Sequence, residues 1–217
     1  MYNKFTKCFA LEDKYIHVKH KASYYWEIEN IWNEDAQAFL PERLNIYFEK
    51  SNGLTDWLNN FSFPAKPYRD MEDKWYCHRG FLKVWKSIEK EIGHVIMNTG
   101  SKEINIVGYS HGGAIAQLCY EYVKFNRPDV KVTGFGFGSP RVLWGKVSDN
   151  VKARFEGFVV VRNGKDLVTH LPPAAFGFHH VAEVLKVGKC KGLTGVKDHY
   201  PERYMAGLLD MTMLEVD

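Results

Sequence analysis

The sequence lacks most of the features that would settle its class at a glance. Nowhere in its 217 residues does an apolar run approach the roughly 18 residues that span a bilayer, so no transmembrane segment is expected. The basic start, Met1 to Leu11, meets Glu12-Asp13 before an apolar stretch long enough for a signal peptide has developed. There are only four cysteines, at 8, 77, 119 and 190, far apart and without a C-x-x-C pair. Together these absences point to a reducing cytoplasm, with secretion as the alternative if a leader has been removed. Charge of one sign is also missing. Lys and Arg number 29 against 26 Asp and Glu, leaving +3, and the lysines sit beside acids, as in Glu89-Lys90-Glu91. No basic patch interleaved with aromatics stands out, so no nucleic-acid partner is expected. Repeats, low-complexity tracts and interdomain linkers are absent as well, so one domain over residues 1–217 is the expectation.

What the chain does have is aromatics: 6 Trp, 12 Tyr and 14 Phe, or 15% of residues. They fit either a large core or an apolar groove that keeps some of them at a surface. It also has one stretch with a clear local grammar. Ile104-Asn105-Ile106-Val107 is short, apolar and β-branched, and reads as a strand. Ala114 to Tyr122 carries helix formers with apolar residues at helical spacing. Between them Gly108-Tyr109-Ser110-His111-Gly112 fits G-x-S-x-G. In such a strand-to-helix turn the serine is held in a strained conformation, and a side chain two residues either side would collide. The following helix aims its N–H groups and positive dipole end at a developing oxyanion.

The rest of the chain supplies a frame. Lys14 to His20 alternates loosely as a strand would, and Tyr24 to Leu40 reads as a helix broken by Pro41-Glu42. Leu44 to Phe48 predicts a strand, followed by a turn at Ser51-Asn52-Gly53. Leu54 to Asn59 is amphipathic but too short to be stable alone. Phe61 to Trp75, with Pro64 and Pro67, predicts mainly loop. From Gly80 a helix is expected, with Phe81, Leu82, Val84, Trp85, Ile88, Ile92, Val95 and Ile96 on one face. Strands are expected at Val130–Phe137, Gly157–Arg162 and His180–Val187, and a closing helix at Pro201–Leu209. This alternation is the pattern of an α/β fold with a mostly parallel sheet.

A serine nucleophile needs a base, and the base needs an orienting group. In this sheet type the partners follow in the order Ser, Asp or Glu, His. Asp166 stands just past the Phe158–Arg162 strand, and His199 follows in Lys197-Asp198-His199-Tyr200-Pro201. His170, His179 and His180 also follow Asp166 and compete for the base. The pair His179-His180 lacks a third ligand at metal-binding spacing. His111 is more useful for its backbone N–H than for its ring.

The ordered motifs carry a resemblance. Phe48-Glu49-Lys50-Ser51-Asn52-Gly53-Leu54-Thr55-Asp56-Trp57, His78-Arg79-Gly80-Phe81 and the elbow extended through Gly112-Gly113-Ala114 come first. Gly138-Ser139-Pro140-Arg141-Val142, then 162–173 (RNGKDLVTHLPP), then Asp198-His199-Tyr200 follow. The set resembles the fungal-type, or class three, lipases of the α/β-hydrolase fold. That resemblance implies a mostly parallel central sheet flanked by helices, with a short helical lid. It implies Ser110 as nucleophile, Asp166 as orienting acid and His199 as general base, and so chooses among the histidines. It further implies an oxyanion hole from Ser51 and His111, and a lid or substrate-binding segment containing Leu54, Trp57 and Leu58. Lys50 departs from the family's usual glycine. The implied activity is hydrolysis of an ester or lipid substrate of acylglycerol type through an acyl-enzyme, without metal or organic cofactor. A transient contact with a lipid interface goes with it. Phospholipase A1 or short-chain carboxylesterase activity, and a non-catalytic lipase-like binding module, are the alternatives. Oligomeric state has no signature in the sequence.

Overall fold

The computed structural model describes residues 1–11, 14–18, 22–49, 64–68, 74–190 and 195–214. Lys50, the turn expected at 51–53 and the segment Leu54–Asn59 lie outside the described residues. In chain order the strands are β1 (Ile16–Val18), β2 (Ala22–Asn33), β3 (Ala38–Phe48), β4 (Ala65–Pro67), β5 (Tyr76–His78), β6 (Glu103–Tyr109), β7 (Lys131–Phe137), β8 (Leu143–Trp144), β9 (Phe158–Asn163), β10 (Phe178–His179) and β11 (Glu183–Val187). The helices are α1 (Tyr2–Ala10), α2 (Arg79–Asn98), α3 (His111–Asn126), α4 (Asp149–Ala153) and α5 (Pro201–Leu214).

Seven strands form the main sheet, in the order β1-β2-β3-β6-β7-β9-β11. From β3 to β11 all neighbours are parallel, while β1 and β2 add an antiparallel edge. The remaining four strands make a small antiparallel sheet, β10-β8-β5-β4. This is the α/β-hydrolase arrangement, with helices on both faces of a mostly parallel sheet.

The two faces follow from alternation along the strands. Leu44, Ile46, Ile104, Ile106, Phe158 and Val160 point to α2 and α3 and form one core layer with Trp85, Ile88 and Ile92. Tyr47, Val107, Tyr109, Phe137, Val161 and Val187 point the other way and pack with Phe5 and Cys8 of α1 and Tyr204 and Leu208 of α5. Helix α3 is covered nearly all round, from His111 through Glu121. Two of its buried polar residues reach neighbouring elements: Glu121 pairs with Arg154 at 3.0 Å, and Gln117 donates to Ser139 Oγ at 2.7 Å. The second contact ties the helix to the turn after β7.

The helix expected over Tyr24–Leu40 is instead a hairpin. Tyr24, Trp26 and Ile28 alternate with Tyr25, Glu27 and Glu29, a period of two that suits a strand better than a helix turn. The hairpin turn at 34–37 is fixed by Asn33, whose Oδ1 accepts from the Ala36 N–H at 2.7 Å, and by Gln37 at φ 50°. Pro41 does not end the element. It lies at a register shift opposite Asn30, before pairing to β6 begins at Arg43, where its missing N–H is tolerated. The aromatics divide accordingly. Trp75 and Trp85 are fully buried, whereas Trp26, Trp32 and Phe39 stand out on the hairpin.

None of the four cysteines is in a disulfide, and three are buried. Burial pushes the Cys8 thiol up to about 12 and raises Cys77 and Cys119 likewise. Among the described residues no helix is long and apolar enough to cross a membrane.

Candidate active site

The elbow is built where β6 meets α3. Ser110 stands between them at φ 57° and ψ −123°, a region that costs a non-glycine residue about 1–3 kcal/mol. Its surroundings hold it there: its N–H donates to the Phe137 carbonyl at 2.8 Å, and its own carbonyl accepts from the Gly113 N–H at 2.9 Å. The flanking glycines are steric necessities. A Cβ on Gly108 would lie 2.2 Å from the Gly112 carbonyl oxygen, and one on Gly112 would lie 2.4 Å from the carbonyl oxygens of both Phe48 and Glu49. The end of β3 therefore packs directly on the first turn of α3, whose N-terminus begins at His111 beside Ser110.

Two later loops bring His199 and Asp166 to this turn. His199 Nε2 lies 2.9 Å from Ser110 Oγ, and His199 Nδ1 lies 2.8 Å from Asp166 Oδ2 across 33 residues of chain. All three residues are buried, Asp166 completely. The Asp166 carboxylate is acceptor-only when ionised, so Nδ1 carries the proton and Nε2 faces the serine as acceptor. Asp166 also accepts from the Val168 N–H at 2.9 Å and from the Tyr204 hydroxyl at 2.5 Å. Its loop turns on the Asp166 N–H bonding to the Asn163 carbonyl at 2.9 Å.

The His199 loop is stitched to the Asp166 loop. The Asp198 carboxylate accepts from the Lys165 N–H at 2.9 Å, and the Asp198 carbonyl accepts from Asn163 Nδ2 at 2.9 Å. The Tyr109 ring stacks on the His199 imidazole at 5.2 Å and 17°, and its hydroxyl donates to the His199 carbonyl. Sequence reasoning passed over Tyr109, Tyr204 and Asp198. Two of them adjoin residues it did select, but nothing in the local pattern says where their side chains go.

The other histidines go elsewhere. The His111 ring is buried and neutral; burial, then its neighbour His78, lowers its pKa to about 4. It packs against Phe81 at 5.5 Å. His180 bonds through Nε2 to the Thr169 carbonyl at 2.8 Å, and burial lowers it too to about 4. His170 lies between Arg141 and Arg162, and His179 approaches the Gly177 carbonyl at 3.4 Å. Among the described residues His199 is the histidine bonded to Ser110 Oγ. No group of three His, Cys, Asp or Glu among them could hold a metal ion. Ser51, Leu54, Trp57 and Leu58 lie outside the described residues.

Comparison with known proteins gives the same chemistry a family. A sequence profile described as Lipase (class 3) matches residues 46–176. A lipase of Rhizomucor miehei is 27% identical over 155 residues, covering 68% of this chain and 42% of that protein. A secreted mono- and diacylglycerol lipase of Malassezia globosa is 36% identical over 170 residues, covering 68% of this chain and 53% of the other. The chain thus spans about half the length of these curated relatives. Among solved structures, the Rhizomucor miehei triacylglyceride lipase superposes with a TM-score of 0.63 at 22% identity, over 79% of this chain and 63% of that one. A Rhizopus microsporus lipase gives 0.64 at 19% identity, over 80% and 59%.

Proposed function

Because the chain belongs to the class 3 lipase family, we propose that it hydrolyses carboxylic esters of acylglycerol type, with Ser110, His199 and Asp166 as its catalytic residues. The observation that carries this reading is the unbroken line from Ser110 Oγ on its strained elbow through His199 to Asp166, with contacts of 2.9 and 2.8 Å. His199 Nε2 takes the Ser110 proton as Oγ attacks the ester carbonyl. Asp166 holds the imidazole in the correct tautomer and stabilises its charged form. The oxyanion is held at the start of α3 by the His111 N–H, with Ser51 as the second donor. The alcohol leaves with the proton from His199, and water then cleaves the acyl-enzyme by the reverse proton path.

Leu54, Trp57 and Leu58 form the lid in this reading, and the lid is the surface that meets a lipid interface. The acylglycerol preference follows the names of the relatives. So does the compartment: one relative is named as secreted, and the cytoplasm expected from the cysteines has no support among them. We take residues 1–217 as one domain, since Phe5 near the start and Leu208 near the end share a core layer.

Hydrolysis of p-nitrophenyl esters of increasing chain length, together with a phosphatidylcholine, tests this. Wild type should turn over the longer esters, and Ser110→Ala should abolish it. Absence of Ser110-dependent turnover on all of them overturns the enzyme reading. Turnover confined to acetate and butyrate overturns the lipase and leaves an esterase.

A further inference from the structure

Arg141 and Arg162 converge on His170. Arg141 follows the turn after β7. Its Nη1 donates to the carbonyls of His170 at 2.7 Å and Pro172 at 3.1 Å, and its Nη2 lies 3.5 Å from His170 Nδ1. Arg162, near the end of β9, places Nη1 3.2 Å from His170 Nε2. Both ring nitrogens are thus approached by donors, yet a neutral imidazole has one acceptor nitrogen. One guanidinium is therefore left facing a ring N–H. Lys186 sits beside Arg162 in register on β11 and adds a third cation to that side.

Among the described residues no carboxylate lies at ion-pair distance from Arg141 or Arg162. Asp166, whose field reaches His170, is already committed to His199, Tyr204 and Val168. Arg162 Nε is buried without a hydrogen-bond partner. His180 donates through Nε2 to the Thr169 carbonyl, so its Nδ1 carries a lone pair and takes no part in the cluster. Burial, then the charge of Arg162, lowers the pKa of Arg141, and burial followed by both arginines lowers His170.

We propose that Arg141, Arg162 and His170 form a binding site for a small oxyanion, a carboxylate or a phosphate. The unpaired Nε–H of Arg162 is one arm of the planar fork that donates to two oxygens of such an anion side by side. The anion supplies the missing negative charge at the free edge of the Arg162 guanidinium. Filling the site fixes the segment from Asp166 to Pro172, which carries the catalytic acid. The carboxylate could be the product of the ester hydrolysis proposed above; the phosphate could be free or on a lipid headgroup.

The test is done on the full chain carrying Ser110→Ala, so that its outcome is independent of turnover. Melting temperature is followed against sodium phosphate, sodium butyrate and vesicles containing phosphatidic acid, each compared with sodium chloride at matched ionic strength. A saturable rise of several degrees over chloride is expected, because a ligand that binds only the folded state raises its stability with concentration. Adding Arg162→Met should weaken the apparent affinity at least tenfold. Response to butyrate alone identifies the carboxylate product as ligand. Response to inorganic phosphate identifies phosphate, and response to the vesicles but not to free phosphate identifies the headgroup. If Arg162→Met fails to fold, Arg162→Lys, which keeps the charge and loses the fork, should still lower the affinity. No saturable rise with any of these anions, or an equal rise in the Arg162 variant that folds, overturns the site.

Discussion

Tyr204 Oη lies 2.5 Å from Asp166 Oδ2, the same oxygen that accepts from His199 Nδ1 at 2.8 Å. Both partners are fully buried, and burial together with the carboxylate raises the tyrosine's pKa well above its ordinary value, so the hydroxyl stays a donor. A hydrogen bond to the ionised form favours that form and spreads its charge. Tyr204→Phe removes that donor and should loosen the Asp166–His199 pair. We expect kcat/KM on a soluble ester to fall ~10-fold at neutral pH, through kcat with KM unchanged, since a hydrogen bond to a charged group contributes about 1.5–3 kcal/mol. An unchanged kcat in a variant that melts below wild type would make Tyr204 a packing residue only.

The histidines should separate in a simple alanine series. His199→Ala removes the proposed base and should abolish turnover. His179→Ala and His180→Ala should retain most of it, because neither ring reaches Ser110 and His180 is bonded to the Thr169 carbonyl. Initial rates on one soluble ester suffice. Loss of activity in His179→Ala or His180→Ala with survival in His199→Ala would reverse the assignment.

Strain at the elbow should be measurable as stability. Both Ser110→Ala and Ser110→Gly remove the nucleophile, but only glycine relaxes at φ 57°. Glycine normally costs about 0.4–1 kcal/mol through the unfolded chain, whereas the strain relieved is about 1–3 kcal/mol. Ser110→Gly should thus melt above Ser110→Ala. The opposite order in calorimetry would mean that the serine backbone is not strained.

Stability should fall in mild acid. His111 and His180 are held at about 4 in the folded chain, against about 6.5 when unfolded. Below pH 6.5 the unfolded chain binds protons that the folded one refuses. Their contribution is therefore complete above that pH and is lost as pH falls toward 4. Urea midpoints at pH 7 should exceed those at pH 5. A flat midpoint across that window would show that these two rings are solvated.

Local pattern carried far in this chain. Period and composition were enough for β3, β6, β7, β9, α2 and α3, because each buries an apolar face against the same sheet. The turn between β6 and α3 was legible for the same reason. Glycines at 108 and 112 are required by backbone atoms 2.2–2.4 Å from their missing Cβ, a requirement written in two letters. The hairpin was not legible: aromatics mixed with acids over Tyr24–Leu40 suit either period, and only pairing with β3 chose the strand.

The sequence by itself determined the order of Ser110, Asp166 and His199 and the conformations that each local turn permits. Residue pattern alone left His170, His179 and His180 beside His199; the family resemblance chose His199, and the fold sets its Nε2 2.9 Å from Ser110 Oγ. The tertiary structure alone decided that Tyr204 and Tyr109 hold the acid and the imidazole, and that two arginines face one another across His170. Those contacts join residues that are far apart in the chain. No local propensity encodes them; they arise when loops at the ends of neighbouring strands are buried together.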